Sequence, residues 1–303
     1  MEDENPSITP YKAGFVAVMG RPNVGKSTLI NAMLGQKITA VSPRPQTTRK
    51  RQLGILTLQA AQIVFVDTPG VHKAIHKLGE KMNKEAAETL SESDLILLIV
   101  DASQPLQPED LLLVKLLENL KRPKPVILAL NKIDLVDQQQ LAVNSASFCD
   151  LVPSALPVAI SATHNQNLSL LQDLILERLE LGTPFFPLDQ TTDLYEREIS
   201  ADLIREAALY ILRDEIPHGI AIRIDQFQER GDTGAYIEAT IFVERESHKP
   251  IVIGQGGQML KRIGVSAREK IEQMSGRKVF LQLKVKVRKN WRDDEKVLRW
   301  FGY

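Results

Sequence analysis

Cysteine is almost missing from this sequence. One residue of 303, Cys149, is a cysteine, so the chain has neither an internal disulfide nor a multi-cysteine metal site. This usage fits a reducing compartment, and Cys149 itself is expected to be a small core residue. Charge of either sign is not in excess, because 38 Lys and Arg stand against 38 Asp and Glu. Any surface for nucleic acid must therefore be local.

Long apolar runs and leader-like segments are also missing. No run approaches the ~18 residues of a membrane-spanning helix. The N-terminus, MEDENPSITPYK, lacks the basic and apolar regions of a signal peptide. We expect a cytoplasmic, soluble monomer, with peripheral attachment to the inner face of a membrane left open.

A metal cluster is not expected either. His72 and His76 stand four residues apart, but Lys73 occupies the place of the glutamate in a zinc-protease motif and no third ligand is near. We interpret both histidines as surface residues.

Short apolar runs recur between helical stretches in the first part of the chain: FVAVM, AQIVFVD, LILLIVDA, PVILALNK and LPVAISA. Runs that are apolar on both faces are typical of parallel strands covered by helices on each side. After a tail at residues 1–13, we therefore expect residues 14–181 to form a doubly wound α/β domain with a mostly parallel sheet. The segment QKITAVSPRPQTTRKRQ has prolines, bases and no clean period, which predicts a mobile loop.

The pattern changes after residue 181. A segment with glycine and two prolines, GTPFFPLDQTTD, predicts a linker at 182–195. From 196 to 303 the predicted order is helix, two alternating strands, two helices and a strand. This order indicates a smaller α+β domain, and the final NWRDDEKVLRWFGY predicts a helix packed on it.

The stretch GRPNVGKST lies between the first apolar run and a predicted helix, and it matches G-x-x-x-x-G-K-[ST]. Glycines let backbone N–H groups surround phosphates, the helix N-terminus favours anions, and the lysine reaches the terminal phosphates. Ser27 is expected to bind Mg²⁺. The residues expected to contact the nucleotide here are Gly20, Asn23, Val24, Gly25, Lys26, Ser27 and Thr28.

The motif DTPG follows the second apolar run. Asp67 is placed to hold Mg²⁺ through water, and the N–H of Gly70 is placed to approach a γ-phosphate. Loss of that phosphate would then release the loop that follows.

The motifs NKID and SAT follow the fourth and fifth runs. The Asp134 carboxylate can accept both N1–H and N2–H of guanine, a pair that adenine does not offer, which predicts GTP rather than ATP. Asn131 is expected to brace the loop or the base edge, and the stem of Lys132 to pack on the ring. After Ser161, the N–H of Ala162 is placed to reach guanine O6.

With these motifs in this order, residues 14–180 resemble a GTPase domain of the Ras superfamily. GRPNVGKST, QTTRKR, DTPG, NKID and SA together resemble the translation-factor-related branch that contains the Era family. Era-type GTPases carry a C-terminal type II KH domain, and VIGQGGQMLKRIG resembles its RNA-binding loop. The resemblance implies a GTP-hydrolysing enzyme that binds GTP or GDP with Mg²⁺. It also implies a role in small (30S) ribosomal subunit assembly, with the 3′ end of 16S rRNA as partner.

The resemblance further implies one magnesium-binding threonine in the first switch loop. Thr47 and Thr48 stand side by side, and we prefer Thr48 because the family motif places the threonine directly before an arginine. The expected metal ligands are Ser27, Thr48 and Asp67. The residues expected to act in hydrolysis are Lys26, Ser27, Thr48, Asp67 and Gly70.

Val71 follows DTPG, where Ras-like proteins have a glutamine that orients water. Valine cannot do this, so hydrolysis is expected to be slow. Related GTPases without the glutamine use a potassium ion held in part by a P-loop asparagine, and Asn23 occupies that place. The alternative for Asn23 is a turn residue.

In the second domain, GQGG joins IVI to a predicted helix. Glycines allow a close approach to a nucleic-acid backbone, and KH folds clamp about four nucleotides in such a place. Between residues 251 and 289, ten basic side chains stand against two acidic ones, a net charge of 10 − 2 = +8. The residues expected to contact RNA are Ile253, Gly254, Gln255, Gly256, Gly257, Lys261 and Arg262.

Two alternatives remain at this point. The basic second domain would equally suit docking to a protein or to an acidic membrane surface. The protein would also be a passive RNA binder if its nucleotide were structural and never hydrolysed.

Overall fold

The computed structural model describes residues 11–42, 48–71, 74–230 and 234–303. Within these ranges the chain forms two β-sheets with separate hydrophobic cores.

The first sheet has six strands in the spatial order β2-β3-β1-β4-β5-β6. Their bounds are β1 Lys12–Met19, β2 Gln52–Leu58, β3 Ala61–Asp67, β4 Leu95–Asp101, β5 Val126–Asn131 and β6 Leu156–Ala159. β2 pairs antiparallel with β3, and the remaining pairs are parallel. The expected doubly wound, mostly parallel sheet is confirmed.

Helices cover both faces of this sheet. They are α1 Lys26–Leu34, α2 Lys77–Glu92, α3 Pro108–Glu118, α4 Gln138–Leu151 and α5 Leu168–Arg178. Alternate residues of β4 explain why its sequence is continuously apolar: Leu97 packs in the core beneath α1 and α5, whereas Leu98 packs beneath α2, α3 and α4. The carboxyl ends of the parallel strands meet at one edge, where open α/β sheets bind ligands.

Strand β2 was not predicted from the sequence. Its segment QLGILTL is buried at its start and half-buried at its end, so neither alternation nor a full apolar run marks it. It is an edge strand whose partner β3 lies immediately after it in the chain. The middle of the expected mobile loop before it, residues 43–47, lies outside the described residues.

Residues 182–195, expected to be a linker, run along the first domain. The N–H of Ile55 in β2 donates to the carbonyl of Thr191, and the N–H of Leu53 donates to the Asp193 carboxylate. Gln62 is fully buried because its side-chain oxygen accepts from two backbone N–H groups of this segment. The connection is therefore fastened to the edge of the sheet.

The second sheet has the order β7-β8-β9, with β7 antiparallel and β9 parallel to β8. The elements are α6 Glu196–Ile211, β7 Ala221–Glu229, β8 Gly234–Val243, α7 His248–Ile253, α8 Gln258–Ser275, β9 Lys278–Val287 and α9 Glu295–Trp300. The predicted order α-β-β-α-α-β is confirmed. Helices α6 and α8 pack together on one face of the sheet.

The two domains share a small apolar cluster. Leu78 and Met82 of α2 pack with Phe242 of β8 and with Trp291 and Phe301 near the C-terminus. Trp291 is fully buried, and its Nε1–H donates to the carbonyl of Gly219 at 2.9 Å. The C-terminal segment therefore packs against both domains.

Candidate functional site

Residues 20–25 connect β1 to α1 in a tight loop. Gly25 has φ 103°, and a Cβ atom there would lie 2.3 Å from Nδ2 of Asn131, so only glycine fits. The Lys26 ammonium folds back over the loop and donates to the carbonyls of Gly20 at 3.0 Å and Arg21 at 3.1 Å. The loop thus holds a buried positive charge beside the N-terminus of α1.

The environment of Lys26 destabilises its charged form relative to an exposed lysine. Burial, together with Arg21, lowers the pKa of Lys26 to about 8 against the opposing attraction of Asp67. An anion placed beside the ammonium would stabilise the charged form. The lysine is therefore suited to a site that a phosphate occupies.

A cradle opens over this loop. It is lined by Pro22, Asn23, Gly25, Lys26, Ser27, Thr28, Ala40, Val41, Ser42, Thr48 and Gly70. A Cβ atom at Gly70 would lie 2.9 Å from the backbone nitrogen of Pro22, so the DTPG loop lies against the P-loop. The structure therefore brings both phosphate motifs to one place.

Three oxygen-bearing side chains converge at the edge of the cradle. The Ser27 hydroxyl donates to Oδ2 of Asp67 at 2.8 Å, and the Thr48 hydroxyl lies 3.0 Å from the same oxygen and 3.0 Å from Ser27 Oγ. Thr47, the alternative to Thr48, lies outside the described residues.

The Asp67 carboxylate is incompletely satisfied. Its Oδ1 is buried and has no hydrogen-bond partner among the residues that the structure describes. Burial raises the pKa of Asp67 against the charge of Lys26 and the hydrogen bonds from Ser27 and Thr48. An unpaired carboxylate oxygen beside two hydroxyls is the donor set that Mg²⁺ prefers, so these residues fit the metal.

At the next strand ends, Asn131 ties two loops together. Its Nδ2 donates to the carbonyl of Val24 at 2.7 Å, and its Oδ1 accepts from the N–H of Ala162 at 3.0 Å. Ser161 is fully buried beside it. Asn131 therefore braces the loops, and it occupies the Ala162 N–H that we expected to face guanine O6.

Asp101 and His164, which were given no role in the sequence analysis, lie next to side chains of the NKID motif. Lys132 donates to the Asp101 carboxylate at 2.7 Å, and His164 Nδ1 lies 3.5 Å from Oδ2 of Asp134. Burial alone would raise the pKa of Asp101, but hydrogen bonds from Lys132 and Ser103 outweigh it and hold the pKa low. Asp101 ends an apolar strand just as Asp67 does, and this signal was available in the sequence.

Three other residues considered in the sequence have clear positions. Val71 is buried in the core cluster of α2 and α3. Asn23 is exposed with φ 66°, a conformation typical of a turn. His76 Nδ1 lies 2.9 Å from the Asp293 carboxylate of the second domain, and His72 lies outside the described residues.

Arg49, next to Thr48, reaches into the second domain. Its guanidinium donates to the carbonyls of Ile220 at 2.7 Å and His218 at 3.0 Å, and it lies 5.5 Å from the centre of the Trp291 ring. The residue beside the candidate metal ligand is thus anchored in the other domain. No motif in the sequence predicted this contact.

A glycine-rich loop separates α7 from α8. Gly254, Gly256 and Gly257 have φ values of 74°, 58° and 78°. Gln255 and Gly256 are exposed at its tip, and Ile253 is partly buried against the core. The backbone of the loop is therefore open to a ligand at the N-terminus of an 18-residue helix.

A groove of about 420 Å³ begins at this loop and runs between α8 and β9. It is lined by Gly257, Leu260, Lys261, Gly264, Val265, Arg268, Phe280, Leu281, Gln282 and Leu283. The α8 members recur every three or four residues and so share one helix face. Arg262 is exposed on α8 but is not among the lining residues.

Ion pairs neutralise part of the basic second domain. Lys270 pairs with Glu206, Arg277 with Glu196, and Lys284 with Glu238. Within the described part of the chain, neither Lys261 nor Arg268 forms an ion pair. Positive charge is therefore left available at the groove.

Two negative findings apply to residues 11–42, 48–71, 74–230 and 234–303. Among those residues, no group of three or more His, Cys, Asp or Glu side chains is arranged to hold a metal ion. In the same ranges, no helix combines the length and the apolar character needed to cross a membrane.

Comparisons with known proteins give matches in both domains. Residues 15–132 match a family described as "50S ribosome-binding GTPase", and residues 215–292 match the family "KH domain". The GTPase Era of Caldicellulosiruptor saccharolyticus is 47% identical over 295 residues, which cover 97% of this chain and 98% of that protein. The GTPase Era of Heliobacterium modesticaldum is 42% identical over 292 residues, covering 96% and 97%.

Two crystal structures are similar over both domains. A variant of Aquifex aeolicus Era bound to GDP·AlF4⁻ has a TM-score of 0.90 and 40% identity, covering 96% of this chain and 99% of that chain. Era in complex with MgGDPNP and nucleotides 1506–1542 of 16S ribosomal RNA has a TM-score of 0.90 and 39% identity, covering 97% and 99%.

Proposed function

This chain belongs to the Era family of GTPases, and from that premise we propose that it couples GTP binding and hydrolysis to its hold on RNA at the 3′ end of 16S rRNA. In this way it assists assembly of the small ribosomal subunit. The chain is a GTPase. The RNA-binding part of this proposal rests on the exposed glycine loop, which lies beside a groove lined by Lys261 and Arg268.

We assign GTP or GDP to the cradle between the two phosphate motifs. The Lys26 ammonium and the loop N–H groups stabilise negative charge on the phosphates. Ser27, Thr48 and Asp67 would hold Mg²⁺, which supplies positive charge at the phosphate oxygens when it is bound. The Asp134 carboxylate, next to His164, would accept the guanine N–H groups.

Slow hydrolysis is consistent with the position of Val71. Its side chain is buried among apolar neighbours and does not orient water. A potassium ion at Asn23 is a further part of the proposal, supported by the exposure of that residue at the rim of the cradle.

For the RNA site, the glycine loop would contact the phosphodiester backbone while α8 lines the groove for the bases. Ile253, Gly254, Gln255, Gly256 and Gly257 supply the loop, and Lys261 supplies charge. Arg262 would act only in steering, because it lies off the lining face. We also keep the division into 14–181, a connection at 182–195, and 196–303.

The test combines two measurements on the intact protein. Phosphate release from GTP measures hydrolysis, and filter binding of a single-stranded oligonucleotide from the 3′ end of 16S rRNA measures RNA affinity. We expect both activities at physiological salt. Vesicles of acidic lipid provide the contrast: binding to vesicles without binding to RNA would favour the surface-docking alternative, and absence of phosphate release would favour a structural nucleotide.

A further inference from the structure

Phe280 is an unusual member of the groove. Its side chain is 62% exposed on the edge strand β9, where the neighbouring outward positions are Lys278 and Gln282. A phenyl ring that stays mostly exposed on a strand gains little from burial in the free protein. Phe280 borders the groove at the rim formed by β9, on the sheet face that also carries Gln282, whereas Leu281 and Leu283 of the same strand pack toward the core beneath α8.

The ring is held in place from one side. Tyr236 of β8 stacks on it with ring centres 5.6 Å apart and planes 12° from parallel. The Tyr236 hydroxyl donates to Gln282 at 2.9 Å, and the Arg230 guanidinium lies 5.1 Å from the centre of the Tyr236 ring. Phe280 is thus a preorganised aromatic surface with one exposed side, which lowers the cost of binding a flat ligand.

We propose that Phe280 is a base-stacking residue of this groove, an inference that rests on the RNA-binding function proposed above. A base at the β9 rim of the groove would stack on the exposed side of Phe280, while phosphates of the same strand face the glycine loop and the cations of α8. Stacking requires an unpaired base, so the ligand is single-stranded nucleic acid.

The decisive variant is Phe280→Leu, which keeps an apolar side chain and removes the aromatic ring. We expect affinity for the 16S rRNA 3′-end oligonucleotide to fall about tenfold, within the range measured for loss of one stacked base. The slope of log affinity against log salt concentration should stay unchanged, because phenylalanine contacts no phosphate. Lys261→Ala should instead make that negative slope shallower by about 0.7.

Two further variants test the chemistry. Phe280→Trp should retain the affinity of the parent, because indole also stacks. Tyr210→Leu removes a 51% exposed aromatic residue on α6 and should leave RNA binding unchanged. A 2-aminopurine placed at successive positions of the oligonucleotide should be quenched at one position in the parent and not in Phe280→Leu.

The inference fails if Phe280→Leu, folded by its thermal transition, binds RNA as tightly as the parent. It also fails if the salt slope becomes shallower as it does for Lys261→Ala, since the ring would then act only through nearby charges. A parent protein that binds no single-stranded RNA would overturn the proposed function instead. The two failures are therefore distinct.

Discussion

The nucleotide cradle and the RNA groove are built from the same kinds of element but differ in how deeply they are buried. Each begins with a glycine loop that enters a helix, α1 or α8, and each has a lysine close to that loop. Lys26 is only 6% exposed, whereas Lys261 is exposed. A buried site selects its ligand because its polar groups need hydrogen-bond partners, whereas an open groove selects its ligand through charge and stacking.

This comparison predicts its largest effect at Asp134. Asp134→Asn should exchange GTP for xanthosine triphosphate, because an amide can donate to the xanthine oxygen that replaces the guanine amino group. The preference between the two nucleotides should shift by about 10⁴-fold, as sites built to hydrogen-bond a ligand discriminate on that scale. Competition binding measures the ratio.

Asp137→Asn is the matched control, because Asp137 caps α4 through the N–H of Gln140 and asparagine caps equally well. An unchanged preference for GTP in Asp134→Asn would remove this carboxylate from the base pocket.

A second variant addresses the open groove. Gln255→Asp combined with Gly256→Asp places two carboxylates where phosphates are proposed to lie, and a Cβ atom at Gly256 meets no neighbour within 4 Å. Like-charge contact costs several kcal/mol, so RNA affinity should fall by about 10²-fold or more while GTP affinity is retained. Filter binding and nucleotide titration measure the two.

Gly276→Asp is the control for backbone strain, since Gly276 has φ 71° and equally open space at the other end of α8. RNA binding by the double variant near the parent level at physiological salt would refute the KH assignment of this loop.

Arg49 tests whether the two sites communicate. Arg49→Ala removes the anchor to Ile220 and His218 next to Thr48. The ratio of RNA affinities between the GDPNP-loaded and GDP-loaded protein should move toward one, with a change of about tenfold.

Arg51→Ala is the control, because Arg51 is exposed and pairs with Glu92 inside its own domain. A ratio that Arg49→Ala leaves unchanged would show that this contact does not transmit the nucleotide state.

The smallest effect is expected from the potassium ion. Hydrolysis should be faster in K⁺ than in Na⁺ at equal ionic strength, and Asn23→Gly should remove the difference. Glycine adopts the φ of 66° found at Asn23, so this variant keeps the turn and deletes only the side chain. Asn290→Gly, also at positive φ but in the second domain, is the control. Equal rates in both salts would leave Asn23 as a turn residue.

The sequence predicted the strands that appear in it as short apolar runs. These runs became β1, β3, β4, β5 and β6; β3 and β4 are buried along their whole length, β1 and β5 nearly so, and β6 only in part. Strand β2 was missed because its burial changes along its length, from buried residues at its start to half-buried residues at its end.

At the site, sequence motifs predicted Ser27 and Asp67, because short loops after the strands fix the positions of these residues. Contacts made by tertiary packing had no such signal: Arg49 donates to a carbonyl 171 residues away, and Phe280 stacks on Tyr236 of a different strand.

The apolar cluster between the domains bears on how the chain unfolds. Leu78 and Met82 of α2 are 2% and 1% exposed, and second-domain residues such as Phe242 and Trp291 pack against them. Melting of either domain would expose apolar surface on the other, which penalises a half-unfolded molecule. The chain should therefore denature as one cooperative unit, and nucleotide bound in the first domain should raise the melting temperature of the second.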